Sequence, residues 1–337
     1  MTPTAFLQMS SSQFDERVLN TIAEEVAAVE RELEDRVFSK VPMVREVGEL
    51  TLRAGGKRLR PALVTLSAQA TGLDFSKERT RRLAACMEMI HMATLIHDDV
   101  IDKAPTRRGV ETAASKFGNT ASILSGDVLL SKAMAILADD GDLRIIRNVA
   151  KAVVDLAEGE VQELAARGRF DLPMSEHKQI LTRKTATFIQ SCCEVGAYAA
   201  GADEQTVRAL GSYGYHLGMA FQMADDLLDY RGNEKRTGKS KGTDFREGCA
   251  TLPLILLLDK LSDEEREVVR SKFGNGVTED ELRMIGHWME SRGVYALAEQ
   301  TAQCEVLAGV EAIQALPETE AKRMLESIAA FVVTRPA

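Results

Sequence analysis

Residues 78–103 read ERTRRLAACMEMIHMATLIHDDVIDK, and apolar side chains recur in them at three- and four-residue steps. That spacing is a helix, since 3.6 residues per turn returns i, i+3, i+4 and i+7 to one face. The same rhythm runs outward through most of the chain. Val18, Ile22, Val26, Val29, Leu33 and Val37 set it near the start. It predicts further helices at about 42–54, 58–71, 120–138, 143–168, 175–201, 203–231, 250–259, 263–272, 278–291, 294–315 and 318–333. Alternation of the kind a strand needs is scarce, so the fold class is all-α. Residues 120–138 and 207–224 are apolar nearly all round, which predicts central helices in a large bundle. Breaks fall at 103–109, 168–173 and the polar stretch 231–248, with Gly232, Gly238, Gly242 and Gly248. None has the composition of an interdomain linker, and no repeat is evident, so a single helical domain over 1–337 is expected.

The 337 residues are 45% hydrophobic and 28% charged, a balance that excludes disorder and collagen-like structure. A formal net charge of -9 disfavours nucleic acid, which needs a basic face. Anions must therefore be handled by local basic clusters or by metal ions. Cys86, Cys192, Cys193, Cys249 and Cys304 form no C-x-x-C pair, which fits a reducing compartment and no structural zinc. Residues 1–16 lack a signal-peptide pattern, and no stretch offers 18 uncharged apolar residues, so a cytoplasmic protein without a transmembrane segment is expected.

Two acidic motifs stand out. Asp98, Asp99 and Asp102 end the quoted helix, and Asp225, Asp226 and Asp229 repeat the D-D-x-x-D spacing near the end of another. Residues i and i+4 lie about 6 Å apart along a helix on the same side, so each motif presents a carboxylate pair. Two like charges about 5 Å apart cost roughly 3 kcal/mol at an effective dielectric of 20, and carboxylates oppose the macrodipole at a helix C-terminus. A cation should compensate. Oxygen ligands without clustered His or Cys suit Mg²⁺, which commonly bridges carboxylates to phosphates.

Basic clusters accompany the acidic ones. Gly55-Gly56-Lys57-Arg58-Leu59-Arg60-Pro61 is a glycine turn entering a helix, with Lys57 and Arg60 on one face. Exposed amides, the positive helix end and two cations together suit an anion. Arg107-Arg108-Gly109 adds a guanidinium pair suited to bidentate phosphate contacts.

In matching order from about 45 to 255, these motifs resemble the trans-polyprenyl diphosphate synthase family, in its long-chain form. The resemblance implies an all-α bundle around a deep central cavity, usually as a homodimer, with the aspartate sets facing each other at the mouth. It implies that Lys57, Arg60, His91 and Arg108 hold isopentenyl diphosphate, and that Arg107, Lys184 and Lys239 contact the allylic diphosphate, with Thr185 and Gln222 nearby. Asp98, Asp102 and Asp225 would be the principal ligands of about three Mg²⁺ ions, supported by Asp99, Asp226 and Asp229. One departure is Cys249, which stands where many members carry Lys; Lys239, Lys241 or Arg246 would then supply the charge.

The implied reaction ionises the allylic carbon–oxygen bond, adds the isopentenyl double bond to the cation and loses a proton. Short-chain relatives often place an aromatic four or five residues before the first aspartate, whereas Ala93 and Thr94 stand here. An open tunnel and an octaprenyl to decaprenyl product, serving as a quinone tail, are expected. Met89, Ile90, Cys86 and Met134 are the deeper candidates for setting length. A short-chain synthase is the nearest alternative. A class I terpene cyclase would not need residues 55–60, and a noncatalytic subunit would have lost aspartates that are intact. Transient membrane contact would serve release of a lipid product.

Overall fold

A computed structural model describes residues 16–56, 58–231 and 241–334, with side chains from 23 to 333. Of the described residues, 79% are helical. In order it forms α1 (Glu16–Val37), α2 (Pro42–Arg53), α3 (Leu59–Ala70), α4 (Lys77–Ile101), a hairpin of β1 (Thr106–Arg107) and β2 (Val110–Glu111), α5 (Ala113–Phe117), α6 (Asn119–Asp140) and α7 (Leu143–Ala166). There follow α8 (Met174–Leu181), a π-helical turn (Thr182–Ala186), α9 (Thr187–Ala199), α10 (Glu204–Arg231), α11 (Thr243–Glu247) and α12 (Leu252–Leu258). The last four are α13 (Asp263–Lys272), α14 (Glu279–Ser291), α15 (Val294–Ala312) and α16 (Glu320–Thr334).

Two compact units share this chain. The first comprises residues 1–149, 192–210 and 316–325, and the second 150–191, 211–315 and 326–337. In the first, α4 is the central element. Ser76 caps its first turn by accepting from the Arg79 N–H. Thirteen of its residues are buried, among them Leu83, Met87, Met89, Ile90 and Ile96. Each such side chain withdrawn from water contributes about 1.5–3 kcal/mol. Helices α1, α3 and α6 pack along it. The predicted stripe of α1 is the buried one, through Val26, Val29, Leu33 and Val37.

Helix α6 is long and apolar enough to cross a membrane by length and composition. Ser122, Ser125, Gly126, Leu129, Ala133, Ile136 and Leu137 are nevertheless buried, and the helix lies against α4. Its charges have local uses: Lys132 Nζ donates to the Arg36 carbonyl at 3.0 Å, and Asp127 lies 3.4 Å from His97 Nε2. At Gly126 an added Cβ would sit 2.4 Å from that His97 nitrogen. A missing side chain thus lets the imidazole, one residue before Asp98, seat against α6.

In the second unit, Phe170, Phe245 and Phe273 meet edge to face, at 5.5 and 5.4 Å between ring centroids. Val269, Ile285, Met289 and Val294 surround them in one cluster. Capping boxes at Ser262/Glu265 and Thr278/Glu281 start α13 and α14, as hydroxyl and carboxylate satisfy each other's exposed N–H groups.

The all-helical expectation holds, and three local features depart from it. Residues 103–109, read as a plain break, run into a two-residue hairpin in which Arg107 pairs with Val110. Arg108 and Gly109 both take positive φ, 53° and 77°, the backbone that a tight hairpin turn requires. The helix expected over 175–201 is interrupted by the π turn. Part of the 231–248 break is helical, as α11, between the left-handed Gly242 and Gly248.

Candidate active site

The first unit brings the two basic motifs together. Arg58 caps α3 in a left-handed conformation, φ 49°, which is strained for a residue with a Cβ. Its side chain turns inward: Nη1 donates to Glu88 Oε1 at 2.9 Å, Nε to Glu30 Oε1 at 3.3 Å and Nη2 to the Leu52 carbonyl at 3.2 Å. Arg108 Nη1 donates to the Gly55 carbonyl, joining the hairpin turn to the glycine turn. At Gly56 a Cβ would lie 2.9 Å from Arg108 Nη1, so a side chain there would push the guanidinium tip aside.

His91 follows Glu88 by one turn of α4. Burial pushes its imidazole well below the ordinary value of 6.5, and Arg60, Arg108, Arg107 and Arg58 add to the effect. It is neutral at pH 7 and can offer one N–H to an anion. Burial also pushes the Arg60 and Arg108 guanidiniums down, while the field of Glu88 opposes that shift in both.

Each aspartate set occupies a helix end, as the sequence indicates, and within each the middle residue is the buried one. Asp99 accepts from Arg107 Nε at 2.7 Å. Burial raises its carboxyl above the usual range, and Arg107 opposes the rise. Asp98 is half-buried and Asp102, the C-cap of α4, is exposed. In the second unit Asp226 Oδ2 lies 3.1 Å from His177 Nε2 and accepts from the Leu252 N–H at 3.3 Å. Asp229 accepts from the N–H groups of Thr243 and Asp244 at 3.2 and 3.1 Å, which starts α11. Asp225 is half-buried. The donors so arranged are carboxylate oxygens, Asp98 and Asp102 one turn apart, and these fit a hard divalent cation that takes its remaining ligands from water and phosphate.

The π turn carries Lys184 and Thr185. Lys184 Nζ lies 3.2 Å from Glu160 and pairs with Glu163, both on α7. Thr185 Oγ1 meets Gln222 Oε1 on α10 at 3.0 Å. Arg183 Nη1 donates to Gln162 at 3.1 Å, and Thr182 Oγ1 lies 3.1 Å from Tyr215 Oη. Two glycines admit the widened turn. A Cβ at Gly159 on α7 would stand 2.6 Å from the Lys184 nitrogen, and one at Gly218 on α10 would stand 2.6 Å from Ala186 Cα.

The Polyprenyl synthetase family model matches residues 41–285. The chain belongs to the polyprenyl synthetase family. An octaprenyl diphosphate synthase of Escherichia coli (strain K12) is 32% identical over 95% of this chain and 98% of its own. The crystal structure of a decaprenyl diphosphate synthase from Rhodobacter capsulatus matches with TM-score 0.88 at 34% identity, covering 95% of this chain and 98% of that one. A polyprenyl synthase from Caulobacter crescentus CB15, solved with calcium and isoprenyl diphosphate, matches with TM-score 0.88 at 32% identity over 100% of both chains.

Among the residues this polyprenyl synthetase sequence singled out, Lys57 and Lys239 lie outside the described residues. Arg60, His91, Arg107 and Arg108 gather in the first unit, as do the length candidates. Met89, Ile90 and Ala93 are buried on α4, and Thr94 Oγ1 donates to the His91 carbonyl at 2.8 Å. Met134 is half-buried on α6, next to Ala133, whose carbonyl accepts from Cys86 Sγ at 3.3 Å. Arg246, one of the residues expected to stand in for the lysine replaced by Cys249, donates to the Val277 carbonyl at 2.8 Å and pairs with Glu279. Burial, with Glu163 and Asp244 nearby, pushes the Cys249 thiol up to about 12, so it stays neutral. Sequence reading passed over Glu88, Arg58, Gly159 and Gly218. Buried Glu88, a charge amid the apolar residues of α4, was the one available signal.

Proposed function

We propose that this chain is a Mg²⁺-dependent prenyltransferase that adds isopentenyl diphosphate units head to tail onto an allylic diphosphate, giving a long-chain all-trans polyprenyl diphosphate. What carries the reading is the pair of aspartate triplets at helix C-termini, each with its middle carboxylate engaged, in a chain of this family. Asp98, Asp102 and Asp225 would hold the metal, with Asp99, Asp226 and Asp229 bracing the helix ends and the turn that follows. About three ions are proposed; when bound, they neutralise the diphosphate charge that develops as the carbon–oxygen bond breaks.

The residues do the rest. Arg60, His91, Arg108 and Lys57 bind and orient the isopentenyl diphosphate. Arg107, Lys184 and Lys239, with Thr185 and Gln222 beside them, hold the allylic diphosphate and stabilise it as it departs. The cation adds to the isopentenyl double bond, and the released diphosphate takes the proton. No side chain forms a covalent bond. Apolar residues of α4, with Ala93 and Thr94 small where a stop would be bulky, accept the growing tail and exclude water.

We also propose a single domain, because four of the five boundaries between the two units fall inside α7, α9, α10 and α16, and only that at 315/316 falls in a loop. A homodimer is proposed from exposed apolar residues, Ile123 and Leu124 on α6 and Val154, Val161 and Leu164 on α7. Five free thiols suit a cytoplasmic setting. A quinone side chain is the proposed destination of the product, with transient membrane contact at release. Incubating the purified chain with farnesyl diphosphate, isopentenyl diphosphate and Mg²⁺, then sizing the products, tests the reading. Long polyprenyl diphosphates are expected, and no consumption of isopentenyl diphosphate would overturn it.

A further inference from the structure

We propose that Glu88 is a positioning residue of the isopentenyl diphosphate pocket, acting by holding Arg58 and so the left-handed turn that leads into Arg60. This rests on the reading of Arg60, His91 and Arg108 as ligands of that diphosphate. A carboxylate in an anion pocket cannot itself be a ligand, because it repels the phosphate. Glu88 is only 4% exposed, and its partner Arg58 is 7% exposed.

Arg58 is the joint of four elements. Its fork reaches Glu30 on α1, the Leu52 carbonyl on α2 and Glu88 on α4, while its own backbone caps α3. A non-glycine residue keeps a positive φ only when its surroundings over-determine it. The three acceptors provide that, and Glu88 is the buried one. Release of Arg58 lets the turn relax toward ordinary backbone geometry, and Arg60, two residues on, moves with it.

Charge balance points the same way. Among the four arginines, Arg58 is held by Glu30 and Glu88, and Arg107 by Asp99. Glu88 therefore neutralises a guanidinium that is not one of the proposed ligands of the diphosphate. Its field also reaches Arg60 and Arg108.

The test is steady-state kinetics of Glu88→Gln, Glu88→Asp and Arg60→Gln in the full chain, each substrate varied separately, with thermal melts. For Glu88→Gln the KM for isopentenyl diphosphate should rise about ten-fold or more. kcat and the KM for the allylic substrate should stay near the parent values, and Glu88→Asp, which keeps the charge, should fall closer to the parent. A core ion pair with no part in binding would lower the melting temperature without splitting the two KM values. If Glu88→Gln unfolds, the double variant Arg58→Gln/Glu88→Gln, which buries no lone charge, replaces it with the same expectation. A parent-like KM for isopentenyl diphosphate in the folded variant overturns the proposal. If Arg60→Gln also leaves that KM unchanged, the assignment of the pocket fails; if Arg60→Gln raises it while the Glu88 variant does not, only the role of Glu88 fails.

Discussion

Gly159→Ala should slow the enzyme by about ten- to a hundred-fold at a net stability cost of no more than about 2 kcal/mol. The added Cβ would lie 2.6 Å from the Lys184 nitrogen, 2.9 Å from Arg183 Cβ and 3.0 Å from Arg183 C. Heavy atoms prefer about 3.5–4.0 Å, so the π turn must withdraw by roughly 1 Å. Backbone cannot yield as a side-chain tip does, and overpacking of this kind costs about 1–3 kcal/mol. Replacing a helical glycine with alanine returns about 1 kcal/mol, so the net loss should stay within about 2 kcal/mol. The catalytic effect is larger, because a misplacement of about 1 Å can cost roughly a hundred-fold in rate. Lys184 and Thr185 ride on the displaced turn, so kcat should fall by about ten- to a hundred-fold and the allylic KM should rise. Gly286→Ala is the control: on α14 its Cβ would meet only Tyr295 Oη at 3.4 Å. That variant should be stabilised by about 0.5–1 kcal/mol with unchanged turnover. Denaturant melts and initial rates on both proteins decide the matter. Parent-like kcat in Gly159→Ala would refute the view that glycine contact fixes the π turn for catalysis.

Other perturbations follow from the same geometry. Ala93 is buried five residues, about 7.5 Å, below Asp98 along α4, so Ala93→Tyr should shift the product distribution to shorter chains by chromatography. Unchanged length in a folded variant would remove Ala93 from the tunnel. Asp98→Asn and Asp225→Asn should each lower kcat by about 10²–10³-fold, and chelation should abolish activity that added Mg²⁺ restores. His91 carries a pKa lowered below 6.5 by burial and four guanidiniums, so the unfolded chain takes up its proton first on acidification. Its contribution to stability is therefore complete above pH 6.5 and declines as pH falls below that value, at up to about 1.4 kcal/mol per unit. His91→Gln should flatten that part of the urea-midpoint profile relative to the parent.

The helices were legible in the sequence because their cause is local. Periodic burial, Ser76, Ser262 and Thr278 at helix starts and Pro42 and Pro253 at first turns each act within a few residues of where they stand. The aspartate triplets were equally plain, since one turn of helix is enough to pair Asp98 with Asp102 and Asp225 with Asp229. By itself the sequence thus determined the helical class, the acidic helix ends and the basic turns. Tertiary structure decided what each of those charges touches. Asp99 goes to Arg107, Asp226 to the Leu252 amide beside His177, Lys184 to Glu160 and Glu163, and Arg58 to Glu88. Gly159 and Gly218 open the π turn from two helices distant in the chain. Such partners are chosen by which backbones approach closely, and a missing Cβ leaves no periodic signal in the sequence to announce that approach.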